Sequence, residues 1–256
     1  MNTAPHYILG LDSAMNGCGA ALFNTQAPDK SCAQTLPMMR GQAEALVPLA
    51  QAIVTKSGAH FQDIGLIVTT IGPGTFTGLR VGMSAAKSFA LALGVPLIGV
   101  TTLDVLAHMY FDAMNDKDRN ASDELVCVLI ETKRADYYVQ IFDRNLKAVS
   151  APQALELPPL KALLASQIDQ GKRGVLIGDA CGRFWEECTQ DGAFPDGFKP
   201  LAPELSCIFH QPDPLILAQI GLERYRSCGA APPIEPLYLR GADVSTPKTP
   251  PRKIAS

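Results

Sequence analysis

Three places in this 256-residue chain carry residue types that could do chemistry. The nonapeptide Gly72-Pro73-Gly74-Thr75-Phe76-Thr77-Gly78-Leu79-Arg80 joins a β-branched apolar run, Ile64 to Ile71, to a long apolar segment. A glycine-rich turn between strand and helix can offer backbone N–H groups to an anion such as phosphate. No Lys-Ser or Lys-Thr closes this turn, so it is not a Walker loop. Its three glycines and one proline also suit a purely structural turn, and both readings stand. The second place is Asp12, at the end of the run His6–Asp12 and followed by Ser13. The third is Glu131, at the tip of Leu125–Ile130. Facing each other across a cleft, two such acids could serve as acid and base. Two unrelated strand-end acids, each bonding its own turn, is the reading we prefer.

Metal chemistry finds little support. The four histidines, His6, His60, His108 and His210, form no HxxH, HxxxH or HExxH spacing. The seven cysteines are an odd number without a CxxC, and several sit in apolar runs as small hydrophobes. A net charge of −3 does not suit a protein that grips nucleic acid by itself. With no signal peptide recognised and no membrane-length apolar run, a reduced cytoplasmic protein is expected.

The elements that must position these residues read as follows. His6–Asp12, Gly17–Phe23 and Ser31–Leu36 form an antiparallel meander. Gln42–Lys56 has helical spacing, with Pro48 in the first turn or at a kink. Ile64–Ile71 and Val95–Val100 are buried strands in parallel βα units, and Thr101 or Thr102 caps a helix through Tyr110. Thr77 is the expected N-cap of a helix that begins at Gly78 or Leu79 and runs to Leu93. Its polar residues Arg80, Ser84, Lys87 and Ser88 make one narrow stripe, and Gly78, Gly82, Ala86 and Ala90 recur every four residues. This helix has more apolar surface than one sheet needs, so either the chain's own second layer or a partner covers the rest.

A polar stretch, 114–123, is the expected linker between a first domain, 1–113, and a second, 124–240. Leu125–Ile130 and Asp136–Asp143 open the second domain, which reads as a degenerate repeat of the first. A helix over Leu157–Gln170, a strand over Gly174–Ile177 and a helix over Asp213–Arg226 follow. The helix at 213–226 is allowed to pack back on the first domain. Trp185 is expected in the core, and Gln190–Pro203 as loop. Glu235–Arg240 is extended, and the basic, proline-rich tail 241–256 is expected to be disordered.

Asp12 followed by Ser13 and a hairpin resembles the opening of the actin-like ATPase and sugar-kinase superfamily, whose acid serves a metal-bound nucleotide. More specifically, GPGTFTGLRVGMSAAKSFALALGVPLIGVTTLDVLA resembles the central block of the TsaB (YeaZ) family. ILGLDSAMNGCGAALF, VLIETKRADYYVQIF and EPLYLRGADV are similar to its opening strands, its second-domain start and its C-terminal signature. The resemblance implies an α/β protein of two actin-like ATPase (ASKHA, ribonuclease H-like) domains, each a mixed β-sheet flanked by helices. Family members often carry His at the position of Gln42 and Asp at that of Glu131, so catalysis or metal binding there is weakened.

The resemblance further implies a non-catalytic scaffold in threonylcarbamoyl transfer to N6 of adenosine 37 of tRNA. Its partners would be a metal-dependent TsaD-like catalytic paralogue and a small TsaE-like ATPase. ATP and the metal ion are then expected in those subunits, with no cofactor here and tRNA met only through the complex; the free chain is a homodimer or a monomer. The expected interface is Leu46, Leu49, Ile53, Thr75, Phe76, Leu79, Gly82, Met83, Ala86 and Ala90, and Ala86→Glu is expected to abolish pairing without unfolding. A degenerate nucleotide or anion site would comprise Asp12, Ser13, Gly74, Thr75 and Glu131. The competing readings are an actin-like ATPase or kinase using Asp12, Ser13 and Glu131, and a glycoprotease-like metalloenzyme.

Overall fold

The computed structural model describes residues 5–114, 124–192, 197–201, 207–228 and 233–240. The linker core 115–123 and the tail 241–256 lie outside the described residues. Two five-stranded mixed sheets carry the architecture. The first is built from β1 (Tyr7–Asp12), β2 (Gly17–Asn24), β3 (Cys32–Pro37), β4 (Ile64–Thr70) and β5 (Leu97–Val100), in the order β3-β2-β1-β4-β5. β1, β2 and β3 are antiparallel neighbours, while β4 and β5 join parallel. The second is built from β6 (Glu124–Glu131), β7 (Asp136–Asp143), β8 (Gln153–Glu156), β9 (Arg173–Ile177) and β10 (Phe198–Pro200). Its order, β10-β9-β6-β7-β8, repeats the meander-plus-parallel arrangement. Both are mixed sheets flanked by helices, as the sequence led us to expect.

Helices separate the sheets into layers. α1 (Gln42–Ser57) and α2 (Phe76–Leu93) cover one face of the first sheet, packing on Leu9, Leu11, Leu22 and Ile67. The opposite face presents Ile8, Leu66, Val68 and Val100 to α3 (Thr102–Ala113) and α6 (Pro214–Cys228). That alternation along β1 and β4 is the period-two signature of strands buried on both faces. The same central layer meets Val126, Val128, Ile130 and Ile177 of the second sheet. On its far side Cys127, Leu129, Tyr137 and Leu176 pack under α4 (Leu157–Asp169) and α5 (Cys181–Gln190). One shared core therefore joins the two units. α6, last in sequence, lies against β1, β2 and β4. Glycines make this approach close: a Cβ on Gly10 would overlap the Pro214 carbonyl, and one on Gly221 would overlap Val68. Arg224 of α6 fixes the layer by reaching Asp104 of α3 at 2.6 Å.

Several local expectations change. α2 begins at Phe76 and its N-cap is Thr75, not Thr77. Thr75 is extended, and its hydroxyl accepts from the Gly78 N–H at 3.3 Å, whereas Thr77 is already one residue inside the helix. Pro48 stands in the interior of α1, beyond the first turn, with Glu44 left without one helical donor. Both residues are exposed, so water can serve the orphan carbonyl. β8 was not anticipated, and β10 lies in a stretch read as loop; both are short edge strands with little periodicity to detect. Trp185 is 42% exposed, on the outer face of α5, and is not a core residue.

Candidate functional site

Asp12 and Ser13 lead out of β1 directly beneath the glycine-rich turn, so the topology does bring the two phosphate-type turns together. What it leaves between them is backbone. The Thr75 N–H donates to the Ala14 carbonyl at 2.7 Å, and the Ser13 hydroxyl donates to the Gly78 carbonyl at 2.8 Å. A Cβ on Gly74 would overlap the Ala14 carbonyl, and one on Gly78 the Ser13 carbonyl. These glycines are therefore close-contact residues. The turn closes against its own neighbour, and the Thr75 amide that an anion would seek is already bonded.

Asp12 is only 1% exposed. Its Oδ1 accepts from the Thr70 hydroxyl at 2.6 Å and from the Ala14 N–H at 3.1 Å. Burial pushes its carboxyl up to about 6, with those hydrogen bonds pulling the other way. Asp12 thus acts as a buried brace between β1, β4 and the turn.

Glu131 lines a cleft of about 620 Å³ between the two units, together with Gly74 and Thr75 of the glycine-rich turn. The α2 start (Phe76, Arg80), the β6–β7 turn (Glu131, Lys133) and Tyr238 with Arg240 form its walls. Asp12 is not on this cleft, so the acid–base pairing of Asp12 with Glu131 is not assembled. Glu131 is engaged instead: Arg183 Nε sits 2.8 Å from its Oε2, and the Lys133 N–H donates to Oε1 at 2.6 Å. Three residues not singled out from the sequence organise this turn. Asp179 accepts from the Glu131 N–H at 2.9 Å, and burial lifts its carboxyl to about 6. Asp136 accepts from Thr132 at 2.8 Å, and Arg183 donates to the carbonyls of Arg134 and Asp136, each at 2.8 Å. Only Asp179 had a sequence signal, an acid just past the end of an apolar strand, as Asp12 ends β1. Among the described residues no group of three His, Cys, Asp or Glu side chains could hold a metal ion.

The expected interface needs correction. Leu46, Leu49, Ile53, Leu79, Met83, Ala86 and Ala90 are each at most 9% exposed, and Gly82 is buried with them. They pack inside the chain's own first unit, and the small residues of α2 lie inward. Charging Ala86 would bury an unpaired carboxylate, so Ala86→Glu reports on folding and not on pairing. Of the residues expected there, Phe76 is 55% exposed and Thr75 half-buried. The outward surface of the two helices is a shallow groove of about 550 Å³. Ala43 and Val47 line it from α1, and Phe76, Arg80, Val81 and Ala85 from α2. Val47 is 38% exposed and Leu91, further along α2, 85%.

A family model described as TsaD, tRNA N6-adenosine threonylcarbamoyltransferase, matches residues 38–156. The chain is 24% identical over 176 residues to the tRNA threonylcarbamoyladenosine biosynthesis protein TsaB of Buchnera aphidicola subsp. Acyrthosiphon pisum, covering 67% of this chain and 74% of that protein. Against the Escherichia coli protein of the same description the identity is 36% over 100 residues, 39% of this chain and 42% of the relative. A crystal structure from Pseudomonas aeruginosa, described as similar to peptidase YeaZ, superposes with a TM-score of 0.69 at 18% identity, covering 91% of this chain and 99% of that one. YeaZ from Pseudomonas aeruginosa gives 0.63 at 18% identity, covering 87% and 93%. At that identity the structures speak for the fold, and the sequence relatives carry the likeness: this chain is similar to the TsaB (YeaZ) proteins.

Proposed function

We propose that this chain is a non-catalytic subunit in the biosynthesis of threonylcarbamoyladenosine in tRNA. It docks a TsaD-like catalytic paralogue along the outward face of α1 and α2, and a TsaE-like small ATPase joins the assembly. ATP and the catalytic metal belong to those partners, and tRNA is met through the complex. The name carried by the TsaB relatives supports the process. The observation that carries the non-catalytic part is the closure of the two turns: Thr75 N–H on the Ala14 carbonyl and Ser13 on the Gly78 carbonyl leave no phosphate cradle beside Asp12. The groove with Val47, Phe76, Val81 and Ala85 supports docking, since an exposed apolar strip framed by Arg80 and Ser84 suits a protein interface.

The test is light scattering on a sizing column with the full chain, alone and mixed with the metal-containing paralogue of the same genome. A stable heteromer is expected. Val47→Glu, on the exposed face, is expected to weaken it at least tenfold while the melting temperature moves by no more than about 1–2 °C. A wild-type chain that ignores the paralogue, or a folded Val47→Glu chain that binds it normally, would overturn this docking mode. Heat on titration with Mg-ATP would argue for a working nucleotide site in this chain.

A further inference from the structure

The segment from Ile234 to Arg240 contacts both units, with different chemistry at its two ends. Ile234 packs beside Gly99 of β5, where a Cβ would meet its Cγ2 at 3.2 Å. The Leu237 N–H donates to the Ile71 carbonyl at 2.7 Å, just past the end of β4. Tyr238 then stacks on Phe76, ring centroids 5.7 Å apart and planes 29° from parallel. Its hydroxyl accepts from Arg80 Nε at 3.4 Å, and the Arg80 guanidinium lies 3.8 Å over the same Phe76 ring. Two residues further on, Arg240 holds Asp136 of β7 through two nitrogens, at 3.1 and 3.2 Å. The Asp136 side chain is 7% exposed, so its charge is poorly served by water and the guanidinium is its main counter-charge.

Phe76 and Arg80 line both the interdomain cleft and the α1–α2 groove. We infer that residues 234–240 form a strap that couples the two: the Arg240–Asp136 anchor in the second unit sets the pose of Phe76 and Arg80 on the docking face, through Tyr238. A partner that reorients Phe76 must then work against an ion pair on the other side of the cleft, although no strap residue lines the groove. This rests on the reading of the α1–α2 face as the docking surface, but the coupling is a property of the free chain.

Hydrogen exchange on the free, full-length chain tests it. Arg240→Gln is expected to speed exchange of the Leu237 amide by about fivefold, the effect of losing one partly exposed ion pair. Arg240→Lys should restore at least half of that protection. Phe76→Ala should speed the same amide, and adding it to Arg240→Gln should give less than the product of the two effects. The aromatic NMR signals of Phe76 should move in Arg240→Gln, a shift that an anchor of purely local effect would not produce. Unchanged Leu237 exchange, an unmoved Phe76 ring, or strictly multiplicative effects would each overturn the coupling. A chain that ignores the paralogue would defeat the docking proposal and leave these exchange results to judge the strap.

Discussion

Asp12 shows how one side chain can look catalytic and be placed for support. Its type and its position at a strand end fit a metal–nucleotide acid, but the packing of Thr70 and Ala14 around Oδ1 removes it from solvent. Burial holds its folded-state carboxyl near 6, above the ordinary aspartate value of 3.8. The folded state therefore holds the proton more tightly than the unfolded one, and stability falls as pH rises from about 4 to 6. Asp12→Asn keeps an oxygen for Thr70 and Ala14 and removes the buried charge. Raising a carboxyl from 3.8 to about 6 corresponds to roughly 3 kcal/mol, less about 1 kcal/mol where the new amide faces the Ser13 N–H. The variant is expected to be about 1–2 kcal/mol more stable than wild type at pH 8, the advantage vanishing below pH 4. Thermal melts across that range check it; a destabilised variant at pH 8 would restore a role for the ionised carboxylate. Thr77 and Thr75 carry a lesson at the same scale. Both are good caps by type, and only the extended backbone at Thr75 decides between them.

At the scale of elements, the glycine-rich turn and α2 behave as one unit seated on the β1–β2 turn. Gly78→Ala would press a methyl against the Ser13 carbonyl and force the first turn of α2 outward. The expected cost is about 1–3 kcal/mol, read as an earlier denaturant midpoint with an unchanged slope. A neutral Gly78→Ala would show that the contact yields freely. The apolar excess of α1 and α2 was visible in the sequence, and so was the solvent-facing stripe from Arg80 to Ser88. Which apolar residues remain outside was not visible. Periodicity assigns a helix one buried face, but these two helices bury one flank on the sheet and another on each other. The surface left over is therefore Val47, Phe76 and Leu91, with Ala86 and Ala90 enclosed.

Across the whole molecule, the central layer of α3 and α6 is what makes two repeats into one body. α6 comes from the end of the chain and covers the first sheet, so neither repeat is complete from a contiguous segment. Gly221→Val would thicken α6 where it meets Val68. Because the core is shared, it is expected to lower a single unfolding transition by about 3–10 °C, with both units melting together. Calorimetry that resolves two transitions, only one of them shifted, would contradict that cooperativity.

The first meander with its parallel partners, the repeat, the long helices and the resemblance to TsaB proteins were legible in the residues themselves. Alternation, helical spacing and the GPGTFTGLR block are local properties of the chain, and β-branched runs between turn residues have few alternatives. The fate of each candidate site residue was decided only in three dimensions. Asp12 is sealed by Thr70, 58 residues away, Glu131 is held by Arg183, and Asp136 is anchored by Arg240, 104 residues away. Contacts at such separations depend on how the layers stack. A carboxylate's burial and charge partners are set by that stacking, while its type and strand position are not.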